Sequence, residues 1–153
     1  VLSWLAGSFG RTRWEHLGLP AIVVVGLTLY LILQARQLNI VLMGDERSVG
    51  LGVNIECFRI QIFVVTSLMV GAVVAVSGAI GFVGLMVPHI VRLGVGSDHR
   101  KVLPLAALGG GLLMVVVDLL GRTMIAPQEL PVGIVTAALG GPFFLWLLRQ
   151  SNP

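Results

Sequence analysis

The feature that most constrains this chain is the length of its uncharged runs. Leu17 to Ala35 and Leu130 to Leu148 contain no Asp, Glu, Lys or Arg, and Val102 to Gly121 contains only Asp118. Each run has about the 20 residues that a helix needs to cross a hydrocarbon layer about 30 Å thick. A fourth run, Ile60 to Val91, is also uncharged, but it is too long for one crossing and too short for two full ones. Gly78, Gly81, Gly84 and Pro88 interrupt it. A full span is therefore expected over roughly Ile60 to Ala79, followed by a short, broken segment from Phe82 to Val91. Composition agrees, since 11% of the residues are charged and the mean hydropathy is +0.98, whereas a soluble domain carries about 25% charge. The expected fold is all-α, a polytopic transmembrane bundle, because in lipid a helix satisfies its own backbone polar groups.

Charge decides whether the short segment crosses. If it does, Arg36, Arg47, Arg59, Arg92, Arg100, Lys101 and Arg149 share one side and Arg11, Arg13 and Arg122 the other, seven against three. If it is re-entrant, the last two spans invert and the same ten residues divide four against six. The positive-inside rule favours the first arrangement: five crossings, the N-terminus outside and the C-terminus inside. A crossing of about ten to twelve residues reaches only about 17 Å, so it needs shielding by protein or a water-filled path beside it. Trp14 and Trp146 fall where indole rings favour the interface. Pro131, after Glu129, opens the last helix, and Pro104 opens the fourth span. Gly71 with Ala75, and Ala106 with Gly110, are small pairs that permit close helix approach.

Catalytic signatures are missing. The sequence has no GxxxxGK[ST], HExxH or GxSxG string and no second cysteine to pair with Cys57, so neither ATP hydrolysis by a phosphate loop nor a metal-thiolate site is expected of it. Cys57 reads as a small buried hydrophobe. His16, His89 and His99 lie far apart at span boundaries and read as solvated or capping residues rather than metal ligands. The basic residues are scattered, so the pI near 10.0 marks membrane sidedness rather than nucleic-acid binding.

The loop between the first two spans, LMGDERSVGLGVNIECFR, carries three acids and two bases. Gly44 and Gly52 bracket about two helical turns, Leu51 and Ile55 share a face, and Asn54 is placed to cap a second short helix. The loop exceeds what joining two antiparallel helices requires, which suits docking to a soluble partner; the alternative is an ordinary solvated loop.

GAIGFVGLMVPHIVRLGVGSDHR, from Gly78 to Arg100, and ELPVGIVTAALGGPFFLWLL, from Glu129 to Leu148, resemble the FecCD-type permease subunits of iron-siderophore, haem and cobalamin importers, which are type II ABC importers. WLAGSFG at Trp4 to Gly10 and GDERSVGLG at Gly44 to Gly52 are similar to two further signatures of that family, in the same order. The resemblance implies the C-terminal half of a ten-helix permease: residues 1–153 as one transmembrane region, with 44–58 as cytoplasmic coupling helices. It implies ATPase coupling by Gly44, Asp45, Glu46, Arg47, Ser48, Leu51 and Gly52, with Ser48 and Gly50 departing from the commoner Ala and longer polar residue. Arg122 corresponds to a basic residue that docks a substrate-binding protein; the alternative is an intrahelical pair with Asp118. Gly78, Gly81, Phe82 and Gly84 correspond to a short helix beside the translocation path; the alternative is plain helix packing. The implied partners are an ATP-binding cassette ATPase, a periplasmic or lipoprotein binding protein, and a second permease copy in a homodimer or pseudo-dimer. The expected setting is the bacterial inner (plasma) membrane. No cofactor is expected on the chain itself, ATP being used by the partner, so it is a transporter subunit and not an enzyme. A non-transporting membrane scaffold or small channel subunit is the alternative from another class.

Overall fold

The computed structural model describes Gly7, Phe9 and residues 13–44, 54–123 and 130–150. Among these there are six helices and no strand: α1 (Trp14–Leu33), α2 (Ala35–Leu42), α3 (Ile55–Ser77), α4 (Val83–Val95), α5 (His99–Thr123) and α6 (Val132–Gln150). By length and composition α1, α3, α5 and α6 suit a membrane crossing, and α4 is a shorter apolar helix. This is the expected all-α bundle, with the break at Gly78 to Phe82.

Helix ends differ from the expectation wherever a cap outranks hydropathy. The Asn54 side chain accepts a hydrogen bond from the Cys57 N–H at 3.2 Å, so α3 starts at Ile55 rather than Ile60. Asn54 thus caps the long helix and not a second short one. Ile55 and Phe58, three apart, take the inward face, which turns Cys57 outward; it is exposed, not buried as expected. Asp98 caps α5 in the same way, its carboxylate accepting from the Arg100 N–H at 3.0 Å and its carbonyl from the Val102 N–H at 2.9 Å. That moves the start of α5 from Val102 to His99 and leaves Pro104 inside the helix instead of opening it. The first span ends at Leu33, and Ala35 begins α2. α4 continues past Val91 to Val95 and carries Arg92 in its last turn, where a cation meets the negative end of the helix dipole.

α5 is the common neighbour: α1, α2, α4 and α6 all pack against it, while α3 packs on α1. Val117, fully buried on α5, and Thr136 of α6 mark the centre of this packing. The outward faces of α1 and α5 are apolar and open, with Ile22 76% and Leu108 73% exposed, which suits contact with lipid or with further apolar membrane helices. The small pairs read from the sequence are not the close contacts, for a Cβ at Gly71 or Gly110 would meet nothing. The close approaches occur instead where one element crosses another's backbone. A Cβ at Gly7 would lie 2.7 Å from the Ala79 carbonyl oxygen, and one at Gly121 would lie 3.0 Å from that of Leu130.

End contacts sort the loops as the charges do. At one end Asn39 of α2 bonds Asp98 before α5, and Gln61 of α3 bonds Tyr30 of α1. At the other, the Gly133 N–H reaches the Gly7 carbonyl and the Leu130 N–H reaches that of Gly121. Five alternating traverses satisfy both sets, α4 among them. Arg36, Arg59, Arg92, Arg100, Lys101 and Arg149 lie toward the first end, and Arg13 and Arg122 toward the second. Arg11 and Arg47 lie outside the described residues.

Phe82, just before α4, has φ of +67°, a conformation that a bulky side chain holds only where its surroundings impose it. Gly140 of α6 is what it packs on, since a Cβ there would overlap the Phe82 Cβ and Cγ. Gly141, its neighbour, has open space instead. Gly140→Ala is therefore expected to destabilise the protein by about 1–3 kcal/mol through overpacking, and Gly141→Ala by no more than about 0.5 kcal/mol. Thermal unfolding in detergent checks the pair; equal effects would contradict the Phe82 contact.

Candidate functional site

Three regions carry the residues singled out from the sequence. The first is the arm formed by α2, which leaves α1 at Gln34, where φ is −86° and ψ is 3°. The Gln34 Nε2 donates to the Tyr30 hydroxyl oxygen at 3.0 Å, and Gln61 of α3 donates to the same oxygen. The root of the arm is thereby tied to two spans. Ala35 is buried, and Leu38 and Val41 flank a shallow apolar groove with Phe58 and Ile62. The arm ends at Gly44, with φ of +104°. Of the seven expected coupling residues only Gly44 is among the described ones; Asp45, Glu46, Arg47, Ser48, Leu51 and Gly52 lie outside them. Residues 54–58, assigned to the coupling helices from the sequence, are the cap and first turn of α3.

Midway along the arm, Asn39 meets the start of α5. Its Nδ2 donates to the Asp98 carboxylate at 2.6 Å, and its Oδ1 accepts from the His99 N–H at 2.9 Å. The same Oδ1 lies 2.9 Å from His99 Nδ1, which makes Nδ1 the protonated ring nitrogen in the neutral side chain. The hydrogen bond from the Arg100 N–H, then the one from Asn39, hold the Asp98 carboxyl below its ordinary range against an opposing cost of burial, and the charges of Arg100 and Lys101 add lesser effects in the same downward direction.

The second region is a groove of about 340 Å³ between α4 and α6. Phe82 and Gly84 line it with His89, Arg92 and Phe143. The His89 ring meets Phe143 edge-on at 5.9 Å, and Phe143 lies 6.0 Å from Trp146, so His89 is half-buried, with one side against an aromatic ring and the other toward the groove. Gly78 does not join this groove. It is buried where α3 ends, with φ of +74°, and borders a separate cleft with Ser77 and Ile80. Gly81 has open space beside it. The structure thus brings Phe82 and Gly84 together and sets Gly78 apart.

The third region is the far end of α5. Arg122 Nε lies 2.8 Å from Asp118 Oδ2, one turn back, with the two side chains 46% and 27% exposed. The intrahelical pair is present, and both partners still reach solvent. His16 sits in the first turn of α1. Among the described residues no three His, Cys, Asp or Glu side chains converge.

Sequence reasoning missed Asn39 and the Tyr30, Gln34 and Gln61 cluster. Asp98 was findable: an Asp before a helical run is an N-cap signal. Asn39 carried no local signal, because its partners lie 59 and 60 positions away.

Six helices with apolar outward faces, alternating traverses and cations gathered at one end define a polytopic helical membrane protein. The chain belongs to the FecCD transport family, whose model matches residues 1–150. It is 46% identical over 149 residues to the hemin transport system permease protein HmuU of Yersinia pestis, covering 97% of this chain and 45% of that protein. It is 42% identical over 153 residues to the vitamin B12 import system permease protein BtuC of Vibrio cholerae, covering 99% and 46%. It is 43% identical over 153 residues to the Fe(3+)-citrate import system permease protein YfmD of Bacillus subtilis, again covering 99% and 46%. A solved inward-facing structure of a metal-chelate type ABC transporter superposes with a TM-score of 0.91 at 32% identity, over 97% of this chain and 48% of that one. The chain thus spans about half the length of the relatives it matches. Those relatives are transport permeases, not enzymes.

The Asp98 cap carries a pH dependence. Because its folded-state pKa is lowered, its stabilisation is complete above the unfolded value, about 3.9, and is lost as pH falls through the folded value. In detergent melts the wild type is expected to lose stability below about pH 4 more steeply than Asp98→Asn, which keeps a capping oxygen but does not titrate. Parallel pH profiles for the two would refute the assignment.

Proposed function

We propose that this chain forms part of the permease subunit of a binding-protein-dependent ABC importer in a bacterial inner membrane, moving an iron-siderophore, haem or cobalamin inward. A paired permease copy, two ATPase subunits and a binding protein complete the machine. The single observation that carries this reading is the superposition at a TM-score of 0.91 on a metal-chelate type ABC transporter, together with a family match over residues 1–150. Permease relatives of different substrates, haem, vitamin B12 and Fe(3+)-citrate, match it at similar identity. The substrate is accordingly proposed as a class.

Within this reading the segment from Gly44 through Asp45, Glu46, Arg47, Ser48 and Leu51 to Gly52 seats in the ATPase. The arm that carries it, tied at Tyr30 and Asn39, supports that role. Phe82 and Gly84 face the path from the groove beside α4, with Gly78 and Gly81 supplying the break that lets a helix of 13 residues stand in the layer. Arg122 docks the binding protein from the far end of α5, its charge oriented by Asp118. ATP acts on the partner ATPase, so this chain contributes the path and the coupling surface. A scaffold or channel subunit, the other class considered, would take up no substrate and engage no ATPase.

Two experiments on the full-length permease test the reading. Reversing Asp45 and Glu46 to Lys is expected to lower uptake at least tenfold, with release of the ATPase or futile ATP hydrolysis. Unchanged co-purification and unchanged uptake would remove the coupling assignment, and a wild-type protein with no ATPase partner would favour the scaffold. Arg122→Glu is expected to weaken binding-protein affinity about tenfold, whereas Asp118→Asn, which keeps the cation, is expected to change it by less than threefold. Equal effects in a binding titration would reduce Arg122 to its intrahelical role.

A further inference from the structure

We infer that Asn39 is a positioning residue that latches the coupling arm to the first turn of α5, so that movement of the arm is delivered to α5 and not lost in the loop. The inference rests on the coupling role proposed for the segment after Gly44. Three distances carry it: 2.6 Å from Asn39 Nδ2 to Asp98 Oδ1, and 2.9 Å from Asn39 Oδ1 to both the His99 N–H nitrogen and His99 Nδ1.

A helix leaves its first N–H groups without intrahelical partners. In α5 the Arg100 N–H is taken by Asp98, as an ordinary cap, but the His99 N–H is taken by a side chain from α2, 60 positions earlier in the chain. The N-terminus of α5 is therefore completed by the arm itself. The backbone N–H of His99 is always a donor, which fixes the Asn39 amide with its oxygen toward α5 and its NH₂ toward the Asp98 carboxylate. Every polar atom of Asn39 facing α5 has a partner, and one of these bonds is to a charged group and so belongs to the stronger class.

The mechanical consequence follows from the fold. Gln34, Tyr30 and Gln61 hold the root of the arm against α1 and α3, and Asn39 holds its middle against α5. Beyond Asn39 the arm presents only Ile40 to Leu42 before its end at Met43 and Gly44. α5 in turn packs along α4, which carries the groove. A push at the end of the arm thus meets a hydrogen-bonded joint on the helix that contacts the groove wall. Asn39 is thus the hydrogen-bonded joint between the middle of the arm and the first turn of α5.

The test uses the full-length permease with its ATPase and binding protein in proteoliposomes, reading substrate taken up per ATP hydrolysed, with ferric siderophore, haemin and cobalamin as probes. Asn39→Ala is expected to leave the complex assembled and still hydrolysing ATP, but to lower that ratio about fivefold. Asn39→Asp sets a carboxylate against Asp98 and is expected to lower it further. Combining Asn39→Asp with Asp98→Asn restores a donor facing an acceptor at the joint and keeps an N-cap, and is expected to return the ratio to within about twofold of wild type. A ratio unchanged in Asn39→Ala overturns the latch, and so does an assembled double variant as poor as Asn39→Asp. If Asn39→Ala does not assemble, the double variant alone decides by its ratio. Failure of the wild-type complex to couple uptake to hydrolysis would overturn the proposed function itself, whereas a coupled wild type with equally coupled variants removes only the latch.

Discussion

A helix of 13 residues inside a layer made for 20 is the constraint on which the rest of this structure depends. At 1.5 Å per residue α4 covers about 20 Å, so some 10 Å of the traverse falls to the non-helical backbone before it. Exposed backbone of that kind is intolerable in hydrocarbon unless protein covers it. The segment from Gly78 to Phe82 meets part of that demand within this chain, in two ways. It ties its own ends, with the Gly78 N–H on the Val74 carbonyl and the Val83 N–H on that of Gly81. It is also approached closely at two points, by Gly7 at Ala79 and by Gly140 at Phe82, each leaving no room for a Cβ, while Ala79, Gly81 and Phe82 keep an exposed side.

α5 serves as the spine because three different kinds of contact act along it. Its first turn shares a polar network with α2, Gly109 lies in contact distance of Val87 of α4, and the Gly121 carbonyl accepts the Leu130 N–H of the returning chain. In lipid the outward leucines gain little by leaving the bilayer, so helix association relies on such close approach and hydrogen bonding. Val102, Val117 and Val132 are among the side chains these approaches bury.

The crossings were legible because membrane insertion acts on long stretches: the uncharged runs predicted all four long spans and the break in the fourth run. The grouping of the cations was legible for the same reason, since six of the seven expected on one side lie toward one end of the bundle. Helix starts were not, because hydropathy stops at the first charge whereas a cap extends the helix through it; Asn54 admits Glu56 and Arg59 to α3, and Asp98 admits Arg100 and Lys101 to α5. The coupling role proposed for Gly44 to Gly52 rests on resemblance to a family alone. Asn39 was not legible at all, because its role is set by Asp98 and His99, 59 and 60 positions away in the chain, and the contact of Gly140 with Phe82 was not, because 58 positions separate them.

The arm and the start of α4 are held by different physics, and this bears on how such a chain would transmit a push. At the arm end the joints are hydrogen bonds among Tyr30, Gln34, Gln61, Asn39 and Asp98, which tolerate small rotations only while donors and acceptors stay aligned. At the α4 end the joint is steric, with Phe82 held at a positive φ against Gly140. A directional polar joint passes on displacement, whereas a strained packed contact favours one of two discrete positions over a continuum. On the proposed reading, α5 lies between an input that must follow the ATPase and a groove wall that holds its place until it yields. That is the arrangement alternating access requires.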